Sequence, residues 1–146
     1  MVVTIGTIIS FTGTVTESGS PAYSQGRSLQ PFFYSYTDDI PKNLRDLWQV
    51  GIESAASYFG RYGPLELWMQ GASEEGLITH KEKFCERRKI VGLPYRTNES
   101  CISDAQRKFG EYQQKSKNSQ LSAGVNGDSY RGYQLIISAY PGWFDE

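Results

Sequence analysis

The sequence predicts a single α+β or α/β domain: a small mixed sheet packed by about three helices over residues 1–146. Three observations carry that prediction. The length is enough to bury roughly two-thirds of the unfolded surface in one core without staples or metals. Both ends are rich in β-branched residues. Between them, the apolar period changes from helical to alternating across one short glycine turn, which is α/β grammar. Residues 1–39 read as a β-rich arm and 40–142 as a helix-strand-helix-helix-strand core.

Taken in order, VVTIGTIISF (2–11) and GTVTE (13–17) are strand material, closed by the turn signal ESGSP. Residues 19–31 form a loop, and PFFYSYTDD (31–39) is a short aromatic strand or an extended arm. A helix follows. Asp38 or Asp39 can cap it, Pro41 suits its first turn, and Leu44, Leu47, Trp48, Ile52, Ala55, Ala56 and Phe59 recur at helical spacing until Gly60 or Gly63. PLELWMQ (64–70) then alternates Leu65, Leu67 and Met69 against Glu66, Trp68 and Gln70, as expected for a strand with one well-buried face. A second helix runs from about Ser73 or Glu74 to Ile90, with Leu77, Ile78, Phe84 and Cys85 facing the core. Gly92 and Pro94 break it. A third begins near Ser100 or Ser103, carries Ile102, Ala105, Phe109 and Tyr112, and frays into QQKSKNSQ. Asn126-Gly127-Asp128 marks a turn, and YRGYQLIISAY (130–140) is the last strand.

Composition removes several classes of function. No segment has the eighteen or so consecutive apolar residues of a membrane span, and the N-terminus lacks a basic signal-peptide region, so any export signal must have been removed upstream. Charge is uneven: residues 1–80 hold four Lys/Arg and eight Asp/Glu, while 81–117 hold ten and five. The basic residues of that middle region are interleaved with Glu82, Glu86, Glu99, Asp104 and Glu111, and no nucleic-acid motif accompanies them. A solvated helix face is expected, with no nucleic-acid partner.

The densest cluster of reactive residue types is ITHKEKFCERRK (78–89), which contains His80, the sole histidine. On a helix, ligands converge only at spacings of three or four, and His80 and Cys85, five apart, point about 140° apart. They cannot share a metal. The zincin pattern His-Glu-x-x-His is absent, and no metal or cofactor is expected. For a nucleophilic triad, His80 would have to meet a hydroxyl or thiol from another element, so the expectation is a solvated or partly buried helix residue. Cys85 has cationic helix neighbours in Lys81, Arg88 and Lys89, which favour a thiolate, but it also lies beside Phe84. A bridge to Cys101 ranks first, ahead of two buried thiols and a reactive thiol, and would imply an oxidising compartment.

Weaker motifs are read blandly. Asn98-Glu99-Ser100 matches a glycosylation acceptor, GVNGDSYRG is a turn rather than a calcium loop, and Glu74 and Glu75 are first-turn helix charges.

Two resemblances arise on these residues. LWQVGIESAASYFGRYGPLELWMQG, then FCERRK, a second cysteine and GDSYRGYQLIISAYPG resemble the N-terminal part of extracytoplasmic metallopeptidase-like proteins of environmental bacteria, over about 40–142. In that family a helix ending in Tyr-Gly-Pro leads into a strand, an FCxRR helix follows, and an HExxH zinc helix comes later. No position here matches the zinc motif, so no catalytic residue is carried over. The resemblance implies a non-catalytic portion that works by protein contact or structural support. Separately, VTIGTIISFTGTVTESGSPAYSQG (3–26) is similar to the opening of periplasmic binding proteins for branched-chain amino acids. That similarity implies a small-molecule ligand held by Ser10, Thr12 and Ser18 to Ser20. A third expectation is self-association, with the aromatic arm 31–37 pairing to a neighbour's sheet edge. An extracytoplasmic or secreted location is expected throughout.

Overall fold

Seven elements follow one another in the computed structural model, which describes residues 32–61, 64–128 and 133–142. They are β1 (Phe33–Tyr36), α1 (Lys42–Phe59), β2 (Leu65–Gln70), α2 (Glu74–Ile90), α3 (Asn98–Lys117), β3 (Ser122–Asp128) and β4 (Tyr133–Ala139). The strands form one mixed sheet in the order β1-β2-β4-β3. β1 and β4 both run parallel to β2, and β3 pairs antiparallel with β4. Parallel neighbours need a crossover, which α1 supplies between β1 and β2.

The expected α+β fold is therefore present. The segment 31–39, read as a strand or an arm, is a strand in its own sheet: Phe33 to Tyr36 lie opposite Glu66 to Met69. The strand candidates at 2–17 lie outside the described residues.

β2 departs from the expectation of one buried face, because both its faces are covered. On one side Trp68 packs with Phe84, Phe109, Leu77 and Ile137 beneath α2 and α3. On the other, Met69 joins Ile40 and Tyr140, with Tyr36, Leu44 and Trp48 of the α1 layer around them. Glu66 and Gln70, polar in sequence, are as buried as their apolar neighbours.

The helix ends show which residues compete for the backbone. α1 begins after Pro41 with no side-chain cap, and ends at Gly60, whose φ of 93° suits glycine. The aspartates expected to cap it do not: Asp39 Oδ2 instead accepts from the Ser73 amide at 3.0 Å, across the sheet end. α2 starts as expected, with Ser73 Oγ accepting from the Gly76 amide. α3 starts earlier than expected, at Asn98, because Thr97 and Ser100 cap each other's amides reciprocally. Its C-terminal half is no frayed end. It continues through QQKSK to Lys117, with Gln113 and Ser116 buried.

Three further expectations change. Leu47 and Phe59 are exposed, since α1 lies on the sheet by a narrow flank whose one buried residue is Ala56. Ile78 is exposed because α2 buries the stripe Leu77, His80, Phe84. Asn126-Gly127-Asp128 is the end of β3, paired with β4. Gly124 lets β3 pass beneath α3, since a Cβ there would stand 2.0 Å from Tyr112 Oη.

Candidate functional site

Cys85 and Cys101, the pair ranked first, carry sulfurs 2.07 Å apart with a Cα separation of 5.8 Å, and so form a disulfide between α2 and the start of α3. Both are buried within the aromatic cluster of Phe84 and Phe109. This is a staple and not an exposed thiol. Ser10, Thr12, Ser18 and Ser20, the expected ligand loop, lie outside the described residues.

His80 is neither solvated nor partly buried. It is 1% exposed, held between Trp68 and Phe109 with ring centroids 5.2 and 5.3 Å away. Its nitrogens meet two other elements: Nδ1 lies 2.9 Å from Gln70 Oε1 on β2, and Nε2 lies 3.1 Å from Ser35 Oγ on β1. The proton positions follow from the chain of donors. Gln70 Nε2 donates to the Gly71 carbonyl at 3.0 Å, which turns Oε1 toward the ring. Nδ1 must therefore carry a hydrogen, leaving Nε2 as the acceptor for the Ser35 hydroxyl. Burial lowers the pKa of the ring to about 4, and the Lys83 ammonium adds to the effect. The imidazole is neutral at ordinary pH.

Serine, histidine and a third polar group in line have the connectivity of a nucleophilic relay. Here they cannot act as one on an external substrate. Ser35 is 1% exposed and Gln70 0%, so no reacting carbonyl can reach the hydroxyl. The sequence hid this meeting: Ser35 sits between two tyrosines and Gln70 ends an apolar strand, and neither position marks a partner 45 or 10 residues from His80. The one available signal was helical spacing, which puts His80 three residues after Leu77 and four before Phe84, on the stripe that faces the core. Beside the relay, buried Glu66 accepts from Trp68 Nε1 at 3.1 Å and from Arg87 Nε at 2.6 Å.

In parallel sheets, ligands settle beyond the carboxyl ends of the strands. At this end of β1 and β2 the protein's own groups fill the space. Thr37 Oγ1 accepts from the Gly71 amide at 2.8 Å, Asp39 sits at the positive N-terminus of α2, and Gln113 Nε2 donates to the carbonyls of Ala72 and Ser73. A Cβ at Gly71 would fall 2.3 Å from Asp39 Oδ2.

Among the described residues, an open apolar feature lies on the other face of the sheet. A groove of about 540 Å³ runs between α1 and the β3–β4 edge, floored by Met69 and Tyr140 and walled by Leu44, Leu47, Trp48 and Leu121. Leu47 and Leu121 are 66% and 69% exposed at its rims. Among the described residues no group of three or more His, Cys, Asp or Glu could hold a metal, and no helix is long and apolar enough to cross a membrane. No family model, no curated protein and no solved structure matches the chain.

Proposed function

We propose that this domain is a non-catalytic part of an extracytoplasmic, metallopeptidase-like protein and works by protein contact through the α1–β4 groove. The carrying observation is where the molecule places its chemistry. Its histidine, the Ser35 beside it and its cysteines are sealed into the core, whereas among the described residues a concave apolar surface is left open. Exposed apolar patches mark sites of protein contact or ligand grooves. The disulfide is compatible with an oxidising compartment. The resemblance over residues 40–142 supplies the partner class, a zinc-bearing polypeptide that this part would support.

The test has two parts. The gene and its neighbours are read for an HExxH-encoding polypeptide, which is then co-expressed with the chain. Co-purification that is lost in the Leu47→Asp/Leu121→Asp double variant is the expected result. Failure of the two polypeptides to associate, or peptide hydrolysis by the chain alone that Ser35→Ala abolishes, would overturn the reading.

Self-association through the same groove is the second reading, favoured by the exposure of Leu47 and Leu121. Light scattering decides it. A concentration-dependent dimer that the double variant abolishes supports it, and a monomer at millimolar concentration removes it.

A further inference from the structure

We infer that His80 is an acid-sensitive latch: its neutral ring ties β1, the outermost of the described strands, to β2 and α2, and mild acid loosens β1 because the ring takes up a proton when the strand opens. The argument starts from hydrogen-bond bookkeeping. With Nδ1–H given to Gln70, only Nε2 can take a second proton, and Ser35 Oγ already donates to that nitrogen. Adding the proton reverses the contact: Ser35 Oγ must rotate to accept from Nε2–H, its own hydrogen loses the acceptor it used, and a cation stands between two aromatic rings in a dry core. The surroundings compensate little. Asp39 in the β1–α1 turn and the backbone of Tyr36 favour the cation, Lys83 on α2 opposes it, and Glu66 on β2 is committed to Arg87 and Trp68. α3 contributes the Phe109 ring.

Strain introduced at this point has one weak exit. α2 is stapled to α3 by the disulfide, and β2 lies between β1 and β4. β1 is four residues long and stands at the sheet margin among the described strands, which makes it the element that gives. The sign follows from linkage. The ring is a base whose pKa is lowered in the closed form, to about 4, and returns to its ordinary value of 6.5 once it is wetted. Closure is therefore complete above pH 6.5, weakens as pH falls from there to about 4, and weakens no further below. Between pH 7 and pH 5 the opening constant of β1 rises about twentyfold.

Hydrogen exchange in the wild-type protein reads this directly. The Thr37 amide, which donates to the Met69 carbonyl at 3.2 Å, reports β1, and the Phe109 amide reports α3. After correction for intrinsic rates, Thr37 exchange is expected to accelerate about twentyfold between pH 7 and pH 5 while Phe109 stays within a factor of two. Imidazole nitrogen spectra should hold the Nδ1–H form over the same range. His80→Gln, which cannot titrate, should lose the acceleration at Thr37. Three results would overturn the latch: equal acceleration at both amides, no acceleration at Thr37, or a His80 ring that titrates near 6.5 in the folded protein. All three are read in the wild-type protein, so a misfolded His80→Gln leaves the inference open to refutation.

Discussion

The two faces of β2 are built on different terms. Toward α2 and α3, Trp68 meets Phe84, Phe109 and the His80 ring at centroid distances of 5.2 to 5.9 Å, with a disulfide closing the layer from above. Toward α1, Met69 meets a thinner set, Ile40, Tyr140 and Trp48, and the layer gapes into the groove beside it. One face spends its residues on exclusion of water, and the other keeps apolar surface exposed. The difference teaches that residue chemistry does not mark the open side of this domain: the reactive types went to the sealed face.

The contrast is broken most severely by hollowing the sealed face. Phe109→Ala removes a fully buried ring that touches Trp68, His80 and Phe84, and should cost about 3–5 kcal/mol in denaturant unfolding. Leu47→Ala on α1 should change stability by no more than about 0.5 kcal/mol, because that side chain is mostly in water already. Comparable costs at the two positions would mean that the α1 layer carries as much of the core as the other. Next in size is the staple. Cys85→Ala/Cys101→Ala opens a loop spanning a sequence separation of 16, and unfolding midpoints should fall by an amount equivalent to about 3 kcal/mol. Intact mass with and without reductant checks the bridge itself, and two freely alkylated thiols in unreduced protein would refute it.

How much of this was legible differs between the same two faces. Helical period and turn residues located α1, α2, β2 and β4 closely, because Gly60 and Ser73 act locally and their neighbours in sequence are their neighbours in space. The disulfide was legible for the same reason, since only one pairing is open to two cysteines on consecutive helices. β3 was missed, because SAGVNGD has little apolar signal and is held by pairing with β4 and by Gly124 passing under Tyr112. The burial of Glu66 and Gln70 was missed because alternation on a strand reports two faces only when one is wet. Most of all, the meeting of Ser35, Gln70 and His80 depends on β1 and β2 lying side by side in a register that no local pattern fixes. The groove was out of reach for a related reason: it is defined by what α1 fails to cover.

The smallest expected effects sharpen the comparison at the helix ends. α3, on the sealed face, enters through a reciprocal cap in which Thr97 Oγ1 accepts from the Ser100 amide at 3.1 Å and Ser100 Oγ accepts from the Thr97 amide at 3.2 Å. Thr97→Ala leaves one first-turn donor without its side-chain partner and should cost about 1 kcal/mol. α1, beside the groove, enters at Pro41 with no such partner, although its backbone there, at φ −55° and ψ 140°, is extended as a capping residue requires. Pro41→Ser should therefore stabilise, by about 0.5 kcal/mol or less, since the hydroxyl gained is partly offset by the stiffness lost from the unfolded chain. Opposite signs at the two helices, read as thermal midpoints in one buffer, would establish that α1 is held below its attainable stability while α3 is not. A loss at both would mean that Pro41 fixes the entry of α1 by rigidity alone, and that the looseness of this layer begins further along, where Leu47 leaves the sheet.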